Sequence, residues 1–72
     1  MGERVSIGTV KWFNVSKGYG FIKPEDGGPE VFVHISEVAK AGYANLAEGV
    51  RIGYELVAGR NGKMSAENLR VG

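Results

Sequence analysis

The 72-residue sequence predicts an all-β fold: a small, closed or nearly closed five-stranded antiparallel Greek-key barrel. Three observations predict it. Twelve glycines cut the chain into short runs and leave no room for a long helix. Five of those runs carry strand patterning. Five short strands in so small a chain must also hide their edges, and closure does this most economically.

Val5, Ile7 and Thr9 alternate with Ser6 and Gly8 and lead into Val10-Lys-Trp-Phe-Asn14, so one long first strand is expected. Val15 to Gly18 supplies a turn. Tyr19 to Lys23 forms the second strand, stopped by Pro24-Glu-Asp-Gly-Gly-Pro29, whose prolines cannot continue a ladder. Glu30 to Ile35 is the third. Ser36 to Gly42 has a capping serine and a terminal glycine, which predicts a single helical turn. Val50 to Leu56 alternates at period two as the fourth strand. Asn61-Gly62 marks a tight hairpin into the fifth strand, Lys63 to Val71, where uneven apolar spacing suggests a bulge near Glu67. The expected interior is Val5, Ile7, Val10, Ile22, Val31, Val33, Val50, Ile52 and Leu56, with Val38 and Leu46 plugging one end and Tyr54 in the fourth strand's core register. An OB-like barrel satisfies this pattern; a five-stranded SH3-like barrel fits the same runs.

At this length one domain over residues 1–72 is expected, because so short a chain buries only about 60% of its unfolded surface. The absence of cysteine excludes disulfides and thiolate metal sites, and the single histidine makes no zinc site without carboxylate help. No metal or other cofactor is expected. The first residues lack an apolar leader core, and no apolar run approaches the ~18 residues of a membrane span, so the expected location is the cytoplasm. The formal charge of +1 argues against binding by charge alone. It is unevenly spread: residues 1–23 carry four Lys/Arg against one acid, whereas residues 24–55 carry two against six. A mildly basic face and an acidic back follow, although a mixed solvated surface gives the same counts.

Strands two and three are apolar on both faces, yet a barrel wall has one inward face. Small and β-branched Ile22, Val31 and Val33 suit the interior, which turns Tyr19, Phe21, Phe32 and His34 outward. Six of the seven aromatic residues lie between 12 and 43. Any one ring could be core, but a barrel of this size cannot enclose them all beside nine aliphatic side chains. An exposed ring cluster marks a binding surface. Interleaved with Lys11, Lys17 and Lys23, it suits single-stranded nucleic acid, whose bases each offer a π-face worth about 1–3 kcal/mol in stacking. Gly18 and Gly20 fit either close approach of a strand or barrel curvature. Catalysis is not expected: His34 has no second acid, base or activated nucleophile beside it beyond Ser36, which reads as a cap. The competing reading is a protein-interaction barrel whose rings bind a peptide or a second copy. A monomer is otherwise expected, since nothing indicates a second apolar patch.

Lys17-Gly-Tyr-Gly-Phe-Ile22 matches the opening of the RNP1 pattern, and Val31-Phe-Val-His-Ile35 looks like RNP2. Their order is the reverse of that in an RRM, which also needs two helices. With Gly8-Thr-Val-Lys-Trp-Phe-Asn14 ahead of them, the motifs resemble the bacterial cold-shock protein family over roughly residues 5–71, small OB-fold domains that bind single-stranded RNA and DNA. The resemblance implies base stacking on Trp12, Phe13, Tyr19, Phe21, Phe32, His34 and Tyr43, and polar contacts from Lys11, Lys17, Asp26 and Arg60. It further implies a passive RNA chaperone acting on transcription termination or translation. The family usually places Phe after the RNP2 histidine; this chain has Ile35, so weaker engagement is expected at that end.

Overall fold

The computed structural model describes residues 5–59 and 63–71. Its strands are β1 (Val5–Asn14), β2 (Tyr19–Pro24), β3 (Val31–His34), β4 (Arg51–Ala58) and β5 (Met64–Val71), with a six-residue helix α1 (Ile35–Lys40) between β3 and β4. The strands close into a barrel in the order β1-β2-β3-β5-β4. A β1-β2-β3 meander leads into α1, the chain returns beside β1 as β4, and β5 fills the slot beside β3. This is the expected five-stranded barrel, consistent with an OB-fold. Four ladders are antiparallel. The fifth corrects the all-antiparallel expectation: β3 and β5 run parallel, with Phe32 opposite Ser65. Strands of alternating direction cannot close a ring with an odd number of members, so one neighbouring pair has to be parallel. The Asn61-Gly62 hairpin lies outside the described residues.

Val10, Ile22, Val31, Val33 and Ile52 fill the interior together with Tyr54, Ala66 and Leu69. Burying one such aliphatic side chain contributes about 1.5–3 kcal/mol. Val38 of α1 and Leu46 of the following loop are buried at one end, as expected, and Val50 packs half-buried against the core. Three expected core residues are not there. Val5 and Ile7 are exposed on the outer face. Side chains alternate along β1, and its inward positions go to Ser6, Gly8 and Val10, opposite in parity to Val5 and Ile7. Gly8 is required at this crowded place, because a Cβ would lie 2.6 Å from the Lys23 carbonyl oxygen and 2.7 Å from Ile22 Cγ2. Leu56 does sit opposite buried Ala66, yet it is 45% exposed. It lines the second end of the barrel, an uncovered cleft of about 440 Å³ shared with Val31, Tyr54 and Met64.

Two irregularities shape the barrel. In β5 an extra residue falls between Glu67 and Arg70 opposite Gly53 and Glu55, and Asn68 takes the left-handed conformation there (φ 49). This is the bulge expected near Glu67. In β1, Val10 faces Ile22 while Trp12 faces Phe21, which leaves Lys11 as the extra residue. The helix starts two residues earlier than a Ser36 cap would place it. His34 Nδ1, not the Ser36 hydroxyl, caps it by accepting from the Ser36 amide at 3.1 Å. An imidazole nitrogen does the work of the usual cap oxygen.

Candidate nucleic-acid interface

The β1 bulge builds the outer face. By simple alternation Trp12 would share the inward face of Val10. The extra residue at Lys11 reverses the parity, so Trp12 joins Phe21 outside and Phe13 turns in opposite Gly20. Cross-strand pairing then lays side chains in two rows over β1, β2 and β3: Trp12, Phe21 and Phe32 in one, Asn14, Tyr19 and His34 in the other. The rings touch throughout. Trp12 meets Phe21 edge-on at 5.4 Å and Tyr19 at 5.5 Å, Phe21 meets Phe32 at 5.9 Å, and Tyr19 stacks on Phe32 at 5.7 Å with 25° between planes. His34 lies tilted 6.3 Å from Phe32 and is exposed, while the other four rings are half-buried. Edge-to-face pairing is the favourable arrangement for aromatic rings, so the cluster holds its own shape while its outer surfaces meet solvent.

The inward side of the same strands explains Gly20. A Cβ there would fall 2.3 Å from the Trp12 carbonyl oxygen and 2.6 Å from Phe13 Cδ1. Packing inside the barrel, and not access for a ligand strand, requires this glycine. Phe13, expected among the outer rings, packs half-buried against the core instead.

The other expected site residues divide. Lys11, exposed on the bulge, forms an ion pair with Glu30 beside the ring cluster. Lys17 is exposed in the β1–β2 turn, where its amide donates to Asn14 Oδ1 at 2.9 Å. Tyr43 is 40% exposed on the loop after α1 and makes no ring contact with the cluster among the described residues. Asp26 belongs to the open barrel end: its Oδ1 accepts from the Gly28 amide at 2.9 Å, and its charge acts on Tyr54. Burial first, and then Asp26, push the Tyr54 hydroxyl above its ordinary pKa of 10.0. Arg60 lies outside the described residues. Ile35 opens α1 half-buried, its amide donating to the Gly18 carbonyl at 2.9 Å.

Sequence reasoning missed a hollow of about 380 Å³ that continues the ring face, walled by Phe21, Phe32, Pro29, Glu30, Lys63 and Met64. The available signal was parity: Glu30 stands two residues before Phe32 and so shares its face. No group of three or more His, Cys, Asp or Glu residues able to hold a metal occurs among the described residues.

The model of the 'Cold-shock' DNA-binding domain matches residues 6–71. The chain is 58% identical over 67 residues to a probable cold shock protein, y4cH, of Sinorhizobium fredii, an alignment covering 92% of this chain and 97% of that protein. It is 55% identical over 67 residues to cold shock protein CspA of Rhizobium meliloti, with the same coverage. Over 59 residues it is 52% identical to the cold shock-like protein CspE of Escherichia coli, covering 82% of this chain and 86% of that one.

Proposed function

The chain belongs to the cold-shock domain family, and from that premise we propose that it binds single-stranded RNA and DNA by stacking unpaired bases on the outer rings of β1, β2 and β3. Family membership supports nucleic-acid binding. The observation that carries the single-strand reading is the ring array Trp12, Tyr19, Phe21, Phe32 and His34, half-buried to exposed on the outside of a barrel whose core is formed by other side chains. A base within a duplex has both faces covered by its neighbours; only an unpaired base can lie on such a platform. Neighbouring rings sit 5.4–6.3 Å apart, wider than the ~3.4 Å between stacked bases in a helical strand. A bound strand is therefore extended, its bases leaving one another for the protein.

Trapping of melted strands shifts RNA folding by mass action, without nucleotide hydrolysis, which is chaperoning in its passive form. The same activity on messages would act on transcription termination or translation. Cold-shock proteins are a non-enzymatic family, and the proposed action requires no catalytic group. No helix among the described residues is long and apolar enough to cross a membrane. We place the protein in the cytoplasm, as one domain acting as a monomer without cofactors. A quenched RNA hairpin carrying a dye at its stem, mixed with the protein in the absence of ATP, tests the proposal. Fluorescence should rise saturably with protein and fall when unlabelled heptathymidine competes. A hairpin that stays closed at protein concentrations saturating heptathymidine would remove the chaperone reading and leave binding alone.

A further inference from the structure

The two rows of the outer face differ in chemistry. Trp12, Phe21 and Phe32 form a row of broad rings whose single polar atom is the Trp12 indole nitrogen, whereas in the row beside it Tyr19 and His34, directly opposite each other on β2 and β3, both carry polar atoms. His34 Nδ1 is already engaged by the Ser36 amide at 3.1 Å and stands 3.0 Å from the Ser36 hydroxyl. In the neutral ring the proton therefore sits on Nε2, the edge away from the helix start, and the cap fixes the plane in which that N–H is offered. Among the described residues the Tyr19 hydroxyl makes no hydrogen bond within the chain, although its ring is held by Phe32, Trp12 and Phe21. A hydroxyl covered by a ligand without a partner loses its bond to water, which costs binding unless the ligand supplies a replacement.

We propose that the Tyr19 hydroxyl and His34 Nε2–H form a hydrogen-bonding edge that engages an acceptor oxygen of the bound strand, making Tyr19 a specificity residue as well as a stacking platform. This rests on the single-strand reading above. The acceptor comes from one of two sources: a ribose 2′-hydroxyl, present in RNA alone, or a phosphate or base oxygen, common to RNA and DNA. Tyr19→Phe keeps the ring and its contacts and removes only the oxygen. His34→Asn retains an acceptor able to cap α1 but removes the ring together with the Nε2 donor, so it is read through its coupling to Tyr19→Phe and not by its own loss.

The experiment titrates wild type and both variants with heptauridylate and with its 2′-deoxy counterpart, which differ only in the 2′-hydroxyl, while thermal melts follow folding. Tyr19→Phe should melt like wild type and bind on the order of three- to tenfold more weakly. Loss on the ribose strand alone identifies the 2′-hydroxyl; equal loss on both identifies a phosphate or base oxygen. If both groups hold the same oxygen, the double variant loses less than the product of the two single losses. Unchanged binding of Tyr19→Phe to both strands, with wild type binding normally, overturns the inference and leaves base stacking intact. Failure of wild type to bind either strand overturns the single-strand reading itself.

Discussion

The two faces of the β2–β3 hairpin are built from alternate residues of the same ten positions, yet they serve opposite ends. Inward, Gly20, Ile22, Val31 and Val33 are small or β-branched and almost completely excluded from solvent. Outward, Tyr19, Phe21 and Phe32 are large, planar and half-exposed, with His34 at the rim. With Tyr54 and Phe13 already taking the large places in and against the core, the rest of the interior has room only for narrow side chains, so the rings of β2 and β3 stand outside. Stability and binding can therefore be changed separately by substitutions one residue apart.

The largest expected effect is on the inner face. Ile22→Ala removes a fully buried side chain and should cost about 2–5 kcal/mol in urea unfolding, with little change in heptathymidine affinity measured on the folded fraction. Its neighbour Phe21→Ala should do the opposite, losing about 1–3 kcal/mol of binding with a much smaller loss of stability. Comparable destabilisation by both would show that the ring cluster is part of the core, and the separation of faces would be wrong.

How far this division was legible in the sequence depends on the strand. In β2 and β3 no irregularity intervenes, and period two separated Ile22, Val31 and Val33 from Tyr19, Phe21 and Phe32 correctly. In β1 the eye follows apolar residues and puts Val5 and Ile7 inside, whereas steric demand reserves that side for Gly8. The bulge at Lys11 then reverses the parity between Val10 and Trp12, and nothing in Val-Lys-Trp-Phe announces it. Phe13 enters the stacking set through the family resemblance, and the same bulge turns it inward opposite Gly20. The β5 bulge was visible because Met64, Ala66, Leu69 and Val71 break the alternation themselves. Ion-pair geometry was not readable at all: the pairing of Lys11 with Glu30, and the action of the Asp26 charge on Tyr54, join residues far apart in the chain.

The open end of the barrel sharpens the comparison in another way. Tyr54 has a folded-state pKa raised above 10.0, so its contribution to stability is complete below that pH and is lost as pH rises through the folded value. Unfolding free energy should fall with alkaline pH above about 10, and Tyr54→Phe should flatten that fall when melts are followed by circular dichroism. Heptathymidine affinity near neutral pH should be the same for this variant, since Tyr54 faces the core.

The smallest effects come from the lysines around the rings. Lys17 has no ion-pair partner among the described residues, and Lys17→Ala should make the salt dependence of binding shallower by about 0.7 in slope. Lys11 is already paired with Glu30, a half-exposed pair worth at most about 1 kcal/mol, so Lys11→Ala should change the slope less. Equal changes would show that Glu30 is displaced when the strand binds.

Trp12 is the residue that the β1 bulge carries from the inner to the outer face, and its fluorescence tests the central claim most directly. Titration with heptathymidine should quench its emission saturably, while a duplex of the same length leaves it unchanged. Unchanged emission with both ligands, in protein shown to be folded, would contradict a stacking interface on this face and favour a barrel whose rings meet a peptide or a second copy.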